Sequence, residues 1–350
     1  MIVFIAPFPS LANEKDGLLQ RVAWVDSLVS DYSRVYLDIS LGGFWHTRHH
    51  SFGKVTVYQI NAFRHFFMIA SMVKRARIVY IHSIFHSLRA LSSYWLAKPI
   101  TDLHGVVPEE MAYSGKHARA ILFGLIERLV LRRSASVIFV TNAMQEHFVN
   151  KYGRLSSVDQ VIAILPKFSD SRSGVEFVLN TVRDPNAVIY AGGLQPWQNM
   201  PLMLEAASAA SSFNYVFLSG SVSSLELMAR SAKVKNFKCF SVQPNHVADY
   251  YLESTYGFIL RDPVLLNRVA CPTKLVEYLY WGVIPIVLSA DLGDFNKLGF
   301  RYITVEDFSS GQLPDKVELA RMRKINRILV EALGSECEGK LTALRNIMTS

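Results

Sequence analysis

The sequence predicts an α/β protein of two domains, each built on a parallel sheet. Three observations predict it. Short apolar runs of strand length alternate with helical patterns along the chain. That alternation fades between Phe168 and Pro185, where Ser, Asp and Gly replace apolar periodicity, and then restarts. At 350 residues the chain is long enough for two cores of ordinary size.

Ile2 to Ala6 is a short apolar run followed by Pro7-Phe-Pro-Ser10, which fits a first buried strand and its loop. Leu18, Leu19, Val22, Val25, Leu28 and Val29 recur at helical spacing. Strand candidates follow at Val35–Ile39, Val55–Ile60, Ile78–His82, Pro99–Leu103 and Val137–Val140. Parallel pairing with right-handed crossovers is the expected topology. After the predicted linker, strands are expected at Ala187–Ala191, Tyr215–Ser219, Phe237–Phe240, Gly257–Leu260 and Ile284–Leu288. The chain closes on a helical pattern, Asp315 to Met348, that lacks a strand partner.

One stretch organises the second half: Ala270-Cys-Pro-Thr-Lys-Leu-Val-Glu-Tyr-Leu-Tyr-Trp-Gly-Val-Ile-Pro-Ile-Val-Leu288. It reads as a helix opened by Pro272, where a missing N–H costs nothing, closed by Gly282 and followed by a buried strand. Lys274 and Glu277 are three residues apart, so both fall on one helix face near its positive end. Free N–H groups, a lysine and a carboxylate suit a ligand carrying phosphate and hydroxyls. An ordinary αβ unit whose Lys–Glu pair solvates a helix face is the alternative.

Half the residues are hydrophobic and 19% are charged, which excludes a disordered chain. The formal charge of +8 suits a nucleic acid, an anionic membrane surface or an anionic substrate. No nucleic-acid recognition motif accompanies it. Cys239, Cys271 and Cys337 are widely spaced, so free thiols in a reducing compartment are expected. The apolar N-terminus is too short for a signal peptide, and no apolar run reaches 18 residues. A cytoplasmic protein is the resulting expectation.

Thr273-Lys-Leu-Val-Glu-Tyr-Leu-Tyr-Trp-Gly-Val-Ile-Pro-Ile-Val287 resembles the donor-site segment of GT-B glycosyltransferases, family 4 in particular. Tyr190-Ala-Gly-Gly-Leu-Gln-Pro-Trp-Gln-Asn199 resembles the start of their second Rossmann domain, and Asp102-Leu-His-Gly-Val-Val-Pro-Glu-Glu110 the acceptor-side loop of their first. The resemblance implies two Rossmann-like domains facing across a cleft that holds the active site. The acceptor-side domain would span residues 1–168 and the nucleotide-sugar domain 186–330, with a C-terminal helix, 331–350, packing back on the first domain. It also implies that Glu277 holds the donor's ribose.

Gly192 and Gly193, in a predicted βα turn, would let the backbone approach a diphosphate, although paired glycines are common in such turns. Where the family pattern carries an arginine and a lysine for that diphosphate, this chain has Gly193 and Gln198. Lys274, beside Thr273 at the helix mouth, is the leading replacement, with Arg268 or Arg261 behind it. The first glutamate of the family's pair is also missing, its place falling in Arg268-Val269-Ala270. His104 and Asp102 come at a C-terminal strand edge, where ligands bind in open parallel sheets. They read as a catalytic pair facing the transferred sugar or the acceptor, or as a structural His–Asp pair. Glu109 and Glu110 line the acceptor side or are solvated loop charges. Gly17, after Asn13-Glu-Lys-Asp16, matches a glycine loop near the donor phosphates, or a surface turn. Trp197 fits a base, a sugar or the core.

No Asp-x-Asp follows a strand where it would suit a metal-bound diphosphate. His46, His49, His50 and the His82/His86 pair form no convincing ligand set, so metal-independent transfer without a cofactor is expected. Arg64, His65, Lys74, Arg75, Arg77, Arg89, Lys116, Arg119, Arg128, Arg132 and Arg133 lie among large apolar residues in the first domain. They read as solvated helix faces or as a peripheral contact with anionic lipid. The expected function is transfer of a hexose from a nucleotide sugar to a lipid-linked glycan in surface polysaccharide or lipopolysaccharide synthesis, and the resemblance to family 4 implies retention. The alternatives are a non-catalytic nucleotide-sugar-binding partner of another transferase and a nucleotide-sugar epimerase of the same fold.

Overall fold

A computed structural model describes residues 1–10, 17–153, 159–165 and 174–349. The Asn13–Asp16 loop and the first six residues of the expected linker lie outside them. Contacts divide the chain into two compact units. The first comprises Met1–Ile164, Val269–Cys271 and Glu336–Ser350; the second comprises Leu165–Arg268 and Pro272–Ser335.

The first unit holds β1 (Ile2–Ile5), β2 (Arg34–Ser40), β3 (Arg48–Phe52), β4 (Val55–Asn61), β5 (Ile78–His82), β6 (Ile100–Asp102), β7 (Ser136–Phe139) and β8 (Gln160–Val161). They form one sheet in the order β3-β4-β2-β1-β5-β6-β7-β8. The second unit holds β9 (Asp184–Ala191), β10 (Asn214–Leu218), β11 (Phe237–Phe240), β12 (Ser254–Ile259), β13 (Ile284–Val287) and β14 (Ile303–Thr304), ordered β11-β10-β9-β12-β13-β14. Strand order reverses beside β1 in one sheet and beside β9 in the other, as in a Rossmann fold. The apolar runs are buried because helices cover both faces of such sheets.

Three strands escaped the sequence reading. β3 pairs antiparallel with β4, so the first sheet is not wholly parallel. Its residues, Arg-His-His-Ser-Phe, are all exposed and carry no apolar alternation; Gly53, at φ 57°, turns the hairpin. β8 and β14 are two residues each, too short for any periodicity. The expected linker also needs correction. Within it Val175–Asn180 is a short helix that buries Val178, and β9 already begins at Asp184.

The final helix, Lys316–Thr349, is continuous over 34 residues. Leu319 and Met322 enter the core of the second unit with Tyr190, Tyr215 and Phe258. Leu344 and Met348 enter the core of the first with Phe4, Tyr36 and Tyr80. Contacts place the change between Ser335 and Glu336, whereas the sequence reading cuts at 331.

Candidate functional site

In the second unit the organising helix runs Thr273–Trp281, with Pro272 as N-cap and Gly282 in the left-handed region at φ 72°. Its C-terminal end is held by three arginines. Arg327 Nη1 donates to the Tyr280 carbonyl (2.6 Å), Arg183 Nη2 to that of Trp281 (2.6 Å) and Arg323 Nε to that of Gly282 (3.1 Å). Cations there satisfy orphan carbonyls and oppose the negative end of the helix dipole. Tyr278 crosses to β9 and β12, its hydroxyl donating to the carbonyls of Ile189 (3.2 Å) and Phe258 (3.3 Å). Gly257 permits this, since a Cβ there would meet the Tyr278 ring at 2.6 Å.

The amino end of the helix carries the predicted residues. Lys274 is buried, contrary to a solvated-face reading. Its Nζ donates to Gln198 Oε1 (3.1 Å) and stands 3.7 Å from the centroid of the Tyr190 ring. A Cβ at Gly192 would lie 2.8 Å from that same Nζ. Burial pushes the lysine well below its usual range; Arg261 adds to the shift and Glu277 opposes it. Glu277 accepts from the Tyr251 hydroxyl (2.7 Å), and its pKa is raised by burial against that bond and Lys274. Among the described residues no ion pair joins Lys274 to Glu277.

Gly192 and Gly193 follow β9, while Arg261 and Asp262 follow β12, on either side of the strand-order reversal. Asn199, in the left-handed region at φ 52°, bridges the two by donating to Asp262 Oδ1 (2.9 Å). Gln198, which the resemblance flags as a lost lysine, instead orients Lys274. Arg261 lies close enough to act on Lys274 and Tyr190, whereas Arg268 is exposed. Thr273 opens the helix and Trp197 belongs to a short 3₁₀ turn. Tyr251, from helix Val247–Glu253, was not singled out by sequence; the Asp-Tyr-Tyr-Leu run carries no motif.

In the first unit, Asp102 ends β6 and His104 follows two residues later. Asp102 is fully buried. Its Oδ2 accepts from Arg21 Nε (3.0 Å) and the Tyr80 hydroxyl (2.8 Å), and Oδ1 from Arg21 Nη2 (3.4 Å). Burial pushes the carboxyl up, but Arg21 and then His104 outweigh it and hold it below the carboxylate range. His104 Nε2 lies 3.5 Å from Asp102 Oδ2 and 3.2 Å from His82 Nδ1. His82, set aside by sequence as a ligand, is the cross-strand partner of Asp102. The three could surround a cation. They fit one poorly, because the shared oxygen already accepts two hydrogen bonds, one of them from a guanidinium.

Glu109 is not a loop charge: it accepts from Lys151 (2.7 Å) and His147 (3.2 Å), and lies with Glu110 in helix Val107–Tyr113. Gly17 opens the helix Gly17–Ser27.

No protein-family model and no curated protein sequence matches the chain. Solved structures do. Sucrose-phosphate synthase from Thermosynechococcus elongatus matches with a TM-score of 0.71 at 12% identity over 99% of both chains. Anabaena HepE in complex with UDP and glucose gives 0.67 at 12% identity over 98% of both. A glycosyltransferase from Rickettsia africae ESF-5 gives 0.61 at 15% identity over 99% of this chain and 98% of its own. At such identities the likeness is one of fold: two Rossmann-like domains of the GT-B type.

Proposed function

We propose that the chain is a GT-B glycosyltransferase of family-4 type that transfers a hexose from a nucleotide sugar, without metal and with retention. The observation that carries this reading is the pairing of Lys274 and Glu277 at one helix mouth. One is a buried cation set against Gly192, the other a carboxylate oriented by Tyr251. Lys274 and the helix N–H groups would meet the diphosphate, Gly192 and Gly193 would admit it, and Glu277 would hold the ribose. In the first unit His104 would contact the transferred sugar or the acceptor. HepE was solved with UDP-glucose, which makes a uridine nucleotide the first donor to try.

A lipid-linked acceptor at an anionic membrane is favoured by the surface of the first unit. Residues 41–135 hold thirteen lysines and arginines against four acids, a net of +9, more than the +8 of the whole chain. Asp102 and Glu127 are fully buried, so the exposed charge there is almost wholly positive. Phe67 is 85% exposed, Ile121 70% and Leu125 65%. Insertion of such side chains beneath a basic rim is how peripheral proteins bind acidic lipid. No helix among the described residues is long and apolar enough to cross a membrane.

The test is calorimetric titration of UDP-glucose and a panel of other nucleotide sugars into the full chain and Glu277→Ala. A cognate donor should bind the parent and lose roughly tenfold or more on the variant, since a charged hydrogen bond contributes about 1.5–3 kcal/mol. Equal affinity would remove Glu277 from the donor site, and no binding by any donor would defeat the reading.

A further inference from the structure

Gly192 keeps the last bond of its strand ladder, its N–H donating to the Leu218 carbonyl (2.9 Å). The chain then leaves the carboxyl end of β9. At the next residue the Gly193 carbonyl accepts from the hydroxyl of Tyr190, three residues back on the same strand (2.5 Å). The direction of this bond is fixed, because a carbonyl oxygen can only accept. The Tyr190 ring is fully buried, and burial raises its pKa against the opposing pull of Arg261, so the hydroxyl keeps its proton.

A trans peptide is planar, with its C=O and N–H on opposite sides. No described peptide is cis. Turning the Gly193 carbonyl onto Tyr190 therefore turns the Leu194 N–H away from the buried ring. The Leu194 side chain packs against the core, which holds the far end of that peptide unit. Among the described residues neither the Gly193 nor the Leu194 N–H has an acceptor. Both residues are half-buried, so these donors are left for water or a ligand, at the strand edge where open parallel sheets bind theirs. The same ring acts on a second group. Lys274 Nζ stands 3.7 Å from its centroid, and a Cβ at Gly192 would lie 2.8 Å from Nζ and 3.1 Å from the Tyr190 hydroxyl. Tyr190 thus sets a cation with its face and a main-chain donor with its hydroxyl, on the two sides of one glycine turn. A cation beside a peptide N–H suits an oxyanion, to which both make charge-assisted hydrogen bonds.

We infer that Tyr190 is a positioning residue whose hydroxyl pins the Gly193 carbonyl, so that the Leu194 N–H donates to a phosphate oxygen of the bound donor beside Lys274. The identity of that donor rests on the transferase reading. The aim of the peptide does not, and a free diphosphate would be held in the same way.

The test is proton–nitrogen correlation NMR on the full chain labelled in leucine, with Leu194 assigned through Leu194→Met, beside calorimetry. The probes are UDP and inorganic pyrophosphate. In the parent both should move the Leu194 amide proton downfield, as a hydrogen bond to an anion does. An amide left unmoved by bound UDP overturns the inference, whatever the variants do. Tyr190→Phe keeps the ring under Lys274 and removes only the hydroxyl. It should lower affinity for both probes about tenfold and abolish most of the Leu194 shift. Unchanged affinity and shift in Tyr190→Phe overturn the positioning role. So does weaker binding with the full Leu194 shift, which marks a general loosening of the unit. If pyrophosphate moves the amide and no nucleotide or nucleotide sugar binds, the transferase reading fails and the aim of the peptide stands. Binding of neither probe overturns both.

Discussion

The ammonium group of Lys274 stands where the first side-chain atom of residue 192 would begin: a Cβ on Gly192 would come within 2.8 Å of Nζ and 3.1 Å of Cε. Space at one residue therefore sets the position of charge at another, 82 positions away in the chain. Gly192→Ala should push Lys274 off the Tyr190 ring while leaving β9 intact. Donor affinity is expected to fall by roughly tenfold, about 1.4 kcal/mol, with little change in melting temperature. Calorimetry beside a thermal melt separates the two. A variant that binds as tightly as the parent would mean that Lys274 has no part in the donor site.

If Lys274 meets the donor as proposed, it should set function against stability. It is a buried cation whose contacts are an amide oxygen and an aromatic face, and burial has already pushed its pKa down. A buried charge without an ion-pair partner costs stability, so an apolar side chain of similar volume should stabilise the fold. Lys274→Met should thus raise the melting temperature by about 2–4 °C for each kcal/mol in a domain of this size, while abolishing donor binding. A lower melting temperature would show that the charge is compensated in the free protein.

On the proposed reading, the same two residues should define a pH window for the donor. The depressed pKa of Lys274 means that its charge is lost at lower pH than usual, so affinity should fall as pH rises through the free-state value, where a bound diphosphate would restore the proton. The raised pKa of Glu277 means that its acceptor form is lost earlier than usual as pH falls, so affinity should fall there too. Titrations on the alkaline side in buffers of different ionisation enthalpy should reveal net proton uptake. Proton release on that side would contradict the assignment of Lys274.

Acid stability of the first unit should depend on Arg21 and Asp102. The carboxyl is held below its unfolded value of about 3.9, so its contribution is present above that pH and is lost as pH falls towards the folded value. Asp102→Asn leaves the buried Arg21 without its counter-charge and should destabilise the unit by about 3–5 kcal/mol. Urea unfolding at pH 7 and pH 3 gives both quantities. The variant's deficit should shrink at the lower pH, and a constant deficit would exclude the linkage.

Much of this was legible in the sequence, and the limits have physical causes. The buried strand Ile78–His82 matches its predicted bounds because a continuous apolar run is all that a doubly covered strand needs. Pro272 and Gly282 bracket the organising helix as their backbone preferences dictate. Its burial was not legible: three residues of spacing place Lys274 and Glu277 on one face, but only tertiary packing decides that the face is inside. Tyr251, Gln198 and Arg183 act across 26, 76 and 98 positions, and no local pattern marks such distances. His82 ended a predicted strand and was set aside as a ligand; its neighbours arrive through sheet register with β6.

The exposed side of helix His117–Arg133 carries Ile121, Leu122 and Leu125 between basic residues, Arg119 before them and Arg128, Arg132 and Arg133 after. Phe63, Phe66 and Phe67 are exposed at the start of helix Phe66–Arg75, which ends in exposed Lys74 and Arg75. Exposed aromatics with a basic neighbourhood and almost no exposed acid nearby fit an anionic bilayer better than water. In co-sedimentation the chain should bind vesicles containing acidic phospholipid, ignore neutral ones and weaken as salt is raised, since each basic side chain near the surface contributes about 1 kcal/mol. Phe67→Glu with Leu125→Glu should cut binding to acidic vesicles at least tenfold, because the pair removes inserted surface and adds like-signed charge. Neither change touches the residues assigned to the donor, so UDP-glucose affinity in solution should be unaltered. Equal binding to neutral and acidic vesicles, or full binding by the double variant, would turn this surface over to a protein partner instead.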